Sequence, residues 1–174
     1  VMSATLDPGP VLQNVRISPE MCRSWLKYVA PLVADAAQAE GRFSVGLAQP
    51  CRDEAHARAR ERRQFGKAIA EFQAIQFKLA DMAMEIELAR NMVLKAAWLK
   101  EEGRSFGREA SIAKGFASET AKRAADQAVQ IWGGEGFMET SAVARYWRQV
   151  KINEIGEGNS EINRQIIARS LLAE

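Results

Sequence analysis

The chain has 174 residues, 47% of them apolar and 26% charged, which suits one folded domain and excludes a disordered segment. A chain of this length can bury roughly 70% of the surface its unfolded form exposes. Lysine plus arginine is 24 and aspartate plus glutamate is 22, so the net charge of +2 gives no support for nucleic-acid binding. Cys22 and Cys51 form no CxxC pair and His56 is the only histidine, which argues against structural zinc, a disulfide scaffold and His-based metal chemistry. No apolar run approaches the roughly 20 residues that span a bilayer. Residues 1–10 lack the basic start and apolar stretch of a leader peptide. The expectation is a cytoplasmic protein, or one of the mitochondrial matrix in a eukaryote.

In chain order, residues 1–17 read as extended, with Val15 and Ile17 alternating against Arg16. Ser18-Pro19-Glu20 is a helix start, with Ser as N-cap and Pro in the first turn. That helix is expected to reach Ala37 and to kink at Pro31. Gly41 and Gly46 predict a break, and Pro50 starts a second helix running to about Arg63. Phe72, Ile75, Leu79, Met82, Ile86, Ala89, Val93 and Ala96 alternate spacings of 3 and 4, a long apolar seam on a third helix that ends at Gly103. Leu88, Met92 and Leu99 add a second stripe, so this helix is expected to pack on more than one neighbour. A fourth helix spans 107–132, and its alanines (Ala110, Ala113, Ala117, Ala121, Ala124, Ala125, Ala128) permit close helix approach. Gly133 and Gly134 stop it. A shorter helix follows at 142–153, and a last one, capped by Asn159 or Ser160, reaches Leu172. The predicted fold is all-α, an up-down bundle of about six helices over residues 18–174, with a short extended N-terminal segment.

Three glycine-marked junctions are candidates for chemistry. Glu61–Lys67 reads either as a solvated basic helix end or as a phosphate site, since arginine contacts phosphate oxygens in pairs. Gln130–Phe137 reads either as a C-cap with a tight turn or as backbone that a ligand can approach closely. Ile155–Glu161 places a carboxylate between two glycines before a helix. It is either a helix-start acid favoured by the macrodipole or a general base with small neighbours.

Taken together, RRQFGKAI, FQAIQFKLADM, QIWGGEGF and EGNSEINRQIIAR, with Arg145, Arg148 and Lys151 between the last two, form an ordered series. The series resembles the C-terminal helical domain of the acyl-CoA dehydrogenases over about Glu61–Leu172. The resemblance implies an FAD-dependent oxidoreductase of fatty acid metabolism that converts an acyl-CoA thioester to its 2,3-enoyl product. It implies Glu157 as the base for the α-proton and Gly158 as lining the acyl-thioester path. It implies FAD contacts from Arg62 (near the pyrophosphate), Gln64, Phe65 and Gln73. Gln130, Gly133 and Gly134 match a segment that touches the FAD of a neighbouring subunit, and Asn159, Ser160 and Glu161 match the flavin-contacting start of the last helix. A shared site implies a homo-oligomer, or a hetero-oligomer with a chain supplying the family's other domains, and an electron-transfer flavoprotein as a partner. No metal site, nucleic-acid partner or membrane span is implied.

The sequence also departs from the family pattern. An N-terminal helical domain and a middle β-domain are expected in the family, and only 11–17 resembles the end of the latter. The stretch from Gly41-Arg42 to Gly46-Leu47 is shorter than usual. Gly156 stands where an aromatic is common, Asn159 replaces the usual threonine, and Gln149 replaces a common aspartate. These departures keep a second reading open, that of a non-catalytic oligomerisation or partner subunit of a split acyl-CoA dehydrogenase.

Overall fold

The computed structural model describes the backbone of residues 19–173 and the side chains of residues 34–173. The extended segment expected at 1–17 lies outside the described residues. The described residues are all-α apart from one two-stranded hairpin. Helix α1 is Pro19–Glu61, α2 is Gln73–Glu101 and α3 is Gly107–Trp132. A single-turn helix α4 (Gly134–Phe137) precedes α5 (Ala142–Ile155) and α6 (Ser160–Leu172).

The expected break at Gly41–Gly46 is corrected by α1, which is one helix of 43 residues. A stripe of small residues explains its continuity. Ala34, Ala37, Gly41, Ser44, Ala48, Cys51, Ala55 and Ala59 are all buried, at spacings of 3 and 4. Gly41 marks close packing and not a break. A Cβ there would meet Val93 Cγ2 at 3.0 Å and the Ala113–Lys114 backbone at 3.6 Å. Nor does Pro50 start a helix: it lies inside α1, with Gly46 at the i−4 position whose carbonyl a proline leaves unpaired. Pro31 likewise lies within the helix.

The seam of α2 holds from Met82 onwards: Met82, Ile86, Ala89, Val93, Ala96 and Leu99 are buried. Its second stripe is mixed, with Leu99 buried, Met92 half-buried and Leu88 53% exposed. All seven alanines read from the sequence on α3 are buried.

Two core clusters fix the directions of the helices. Ala34 and Ala37 of α1 meet Val93 and Ala96 of α2 and Ala110 and Ala113 of α3. Further along, Ala48–Ala59 of α1 meet Met82 and Ile86 of α2 and Ala121–Ile131 of α3. So α1 and α3 run parallel, with α2 antiparallel to both. The fourth leg of the bundle is divided. Val143 and Val150 of α5 pack on the C-terminal half of α3. Arg164 of α6 pairs with Glu119 at 2.5 Å, and Ser170 lies in one groove with Arg108. Helices α5 and α6 therefore descend α3 in one line, and the leg is interrupted at residues 156–159.

Candidate active site

The interruption of the fourth leg carries the third junction. Gly156 ends α5, and Glu157 and Gly158 follow with φ of +51° and +92°. Left-handed backbone suits Gly158 but costs a glutamate roughly 1–2 kcal/mol. The Gly158 carbonyl accepts from two buried donors. One is the Lys114 ammonium of α3, and the other is Asn163 Nδ2 at 2.8 Å. One charge-assisted and one neutral bond, about 1.5–3 and about 1 kcal/mol, together offset that strain. Asn159 is the N-cap of α6, its Oδ1 accepting from the Ile162 amide at 2.9 Å, so the cap falls on Asn159 and not on Ser160. Ser160 is buried, and its carbonyl accepts from Arg164 at 3.3 Å. The side chains of Glu157, Asn159 and Glu161 are exposed. On the other flank, Asn153 Nδ2 donates to Ser44 Oγ at 3.0 Å, tying the last turn of α5 to α1. The break is thus held from α1, α3 and α6 while its carboxylate faces outward.

The first two junctions meet elsewhere, at the C-terminal end of α3. The basic stretch after α1 is not a helix end. Arg63–Gln64 (β1) pairs with Lys67–Ala68 (β2), in register Gln64↔Lys67. Phe65 and Gly66 form the two-residue turn with φ of +52° and +82°. Helical periodicity has no term for so short a hairpin, and its Phe-Gly turn lacks the usual Asn or Asp. Phe65 is 92% exposed at the tip, with Phe72 edge-on at 6.2 Å. Glu135, directly after the glycine pair, holds Arg58 at 2.8 Å and Arg62 at 3.8 Å. Arg58 stacks on Trp132, whose indole N–H donates to the Glu54 carbonyl at 3.2 Å. Gly133 ends α3 at φ +69°, a conformation for glycine. Gly136 serves packing, since a Cβ there would lie 2.6 Å from Trp132 Cβ. At Gly134 a Cβ would meet nothing within 4 Å. Arg62, Gln64, Phe65, Gln73, Gln130, Gly133 and Gly134 are all exposed. Beside them, Gln130, Phe137, Trp147 and Arg148 line a groove of about 520 Å³ between α3 and α5.

The expected site residues therefore fall into two groups. Arg62 joins Gly133 and Gly134 at one end of α3. Glu157, Gly158, Asn159, Ser160 and Glu161 sit near Lys114 and Glu119. Lys114 and Gln130 are 16 positions apart on one helix, roughly 24 Å at 1.5 Å per residue.

Sequence reasoning missed Lys114, Asn163 and Ser44. Lys114 left a signal: it shares a helical face with Ala110, Ala113 and Ala117, the wrong place for a solvated charge. Burial pushes its pKa down, against the opposing pull of Glu40, Glu154, Glu157 and Glu161. No helix among the described residues is long and apolar enough to cross a membrane.

The sequence and the fold both have counterparts among known proteins. The profile of the acyl-CoA dehydrogenase C-terminal domain matches residues 33–172. The chain is 61% identical over 130 residues to the probable acyl-CoA dehydrogenase YngJ of Bacillus subtilis, covering 75% of this chain and 34% of that protein. It is 46% identical over 129 residues to the short-chain specific acyl-CoA dehydrogenase of Megasphaera elsdenii, covering 74% and 34%. The structure of butyryl-CoA dehydrogenase from Megasphaera elsdenii superposes with a TM-score of 0.83 at 41% identity, over 84% of this chain and 38% of that one. The chain spans about a third of the length (34%) of these curated relatives. On its sequence, its fold and the order of its junctions, the chain belongs to the acyl-CoA dehydrogenase family, as its C-terminal domain.

Proposed function

We propose that this domain supplies the base and part of the FAD site of an acyl-CoA dehydrogenase. The observation that carries the reading is Glu157 itself: a carboxylate on left-handed backbone, flanked by glycines, exposed where the fourth leg breaks. Glu157 takes the α-proton of an acyl-CoA thioester. Gly156 and Gly158 leave room for the thioester to approach.

The residues present fit FAD. Arg62 offers a cation for a pyrophosphate, Gln64, Gln73 and Gln130 offer amide donors, and Phe65 offers an exposed aromatic face. Space above Gly134 leaves its backbone open to a ligand. FAD, when bound, supplies the two-electron acceptor for the β-hydride. Asn159, Ser160 and Glu161 border the flavin end, beside Glu157. Gly133 and Gly134, with Arg62 beside them, face the FAD of a neighbouring subunit. The separation of the two groups along α3 supports that division. It also supports a homo-oligomer, or a hetero-oligomer with a chain bearing the family's other domains. An electron-transfer flavoprotein would then reoxidise the cofactor.

The test is Glu157→Gln in the protein carrying this domain. Turnover of a short acyl-CoA is expected to fall at least about 100-fold with the flavin spectrum unchanged. Turnover within a few-fold of the unaltered protein would remove Glu157 from this role and favour the non-catalytic subunit.

A further inference from the structure

The most deeply buried charge among the described residues lies outside every motif that the sequence pattern singles out. Lys114 is 0% exposed. Its ammonium donates to the Gly158 carbonyl, across from α3 to the break between α5 and α6. The carboxylates acting on it are Glu40 foremost, then Glu154, Glu157 and Glu161, so they come from α1, α5, the break and α6. Glu40 Oε2 is buried and has no hydrogen-bond partner among the described residues. A buried carboxylate oxygen without donors needs a nearby cation, and a buried ammonium needs a nearby anion. Lys114 and Glu40 form no direct ion pair, so Glu40 acts on the ammonium through space. Asn163 Nδ2 bonds the same Gly158 oxygen, but it also serves the Asn159 carbonyl, so its hold on the break is shared.

We propose that Lys114 is a positioning residue that fixes the Gly158 peptide and thereby sets where the Glu157 carboxylate stands. The proposal rests on the reading of Glu157 as the base. A charged donor is needed because Glu157 and Gly158 are both left-handed, and the adjacent backbone would otherwise relax toward the ordinary regions.

The test exploits a sequence feature. Gly158-Asn159 is the only Gly-Asn pair in the chain, so carbonyl-13C glycine with 15N asparagine gives a single NMR correlation across this peptide. In Lys114→Met, that correlation should shift or broaden. Amide exchange at residues 157–159 should rise about tenfold, while the buried face of α2 keeps its protection. A folded Lys114→Met with an unmoved correlation and unchanged exchange would overturn the proposal. Where Lys114→Met fails to fold because Glu40 is left uncompensated, Lys114→Met/Glu40→Gln gives the same reading. Failure of that variant to fold would make Lys114 a packing residue and overturn the proposal as well. The measurement needs neither substrate nor turnover, so it can fail while the Glu157→Gln test succeeds, and the reverse.

Discussion

Asn153 and Ser44 meet through one buried hydrogen bond of 3.0 Å that joins the last turn of α5 to the middle of α1. Asn153 Oδ1 is already buried without a partner among the described residues. Ser44→Ala therefore strands the whole amide, and the expected loss is about 1–3 kcal/mol by urea unfolding. Ser44→Ala/Asn153→Leu should recover part of it, because both polar partners are then gone. A Ser44→Ala midpoint equal to that of the unaltered protein would show the bond to be dispensable.

Two glycines in one turn should behave oppositely. Gly136→Ala drives a Cβ to 2.6 Å from Trp132 Cβ and 3.0 Å from the Val129 carbonyl, neither of which can yield cheaply. A loss of about 1–3 kcal/mol is expected. Gly134→Ala meets nothing within 4 Å in this chain, so its melting temperature should hold or rise slightly. Its flavin retention should fall, if FAD from a neighbouring subunit comes close there. Paired thermal melts and flavin absorbance check both statements.

The Lys114 pKa is depressed from 10.5, chiefly by burial. Between the folded value and 10.5 the unfolded chain binds more protons, so stability rises with pH in that window. The contribution is complete above 10.5 and is lost as pH falls through the folded value. Unfolding midpoints of the unaltered protein, taken relative to Lys114→Met, should therefore climb as pH rises from the folded value to 10.5. A constant difference would mean that Lys114 titrates normally.

Cys51 is fully buried in the seam between α1 and α3, and burial pushes its thiol up to about 12. With Cys22 replaced by serine, the native protein should resist iodoacetamide at pH 8 and react once unfolded. Fast labelling of the native state would show that the seam opens.

Much of the fold was legible in the sequence because α2 and α3 obey one period. The α3 boundaries and its seven buried alanines follow from spacing alone. The error at Gly41–Gly46 arose from reading glycine and proline as punctuation. The unbroken stripe from Ala34 to Ala59 was the stronger signal, but small residues carry little hydropathy and so left a weak trace. The hairpin was hidden by its brevity. Of the site, the Glu157 junction was readable as a glycine-flanked carboxylate. The burial of Lys114 was readable from its alanine face, but its partner Gly158 and the Ser44–Asn153 bond were not, because those contacts cross long sequence separations that no local pattern encodes.

The seam between α1 and α3 has a consequence for the break between α5 and α6. Because alanine, glycine, serine and cysteine fill it, little side-chain volume remains to adjust, and the spacing of the two helices is set by backbone contact. Lys114 hangs from the same stretch of α3 that rests on Gly41. The seam therefore acts as a fixed stop: a methyl group added at Gly41 would rest on the Ala113–Lys114 backbone in ordinary contact at 3.6 Å, and its one tight contact is the Val93 side chain of α2 at 3.0 Å. Helix α1, which carries none of the proposed site residues, thus fixes through backbone contact the stretch of α3 from which Lys114 reaches the Gly158 carbonyl.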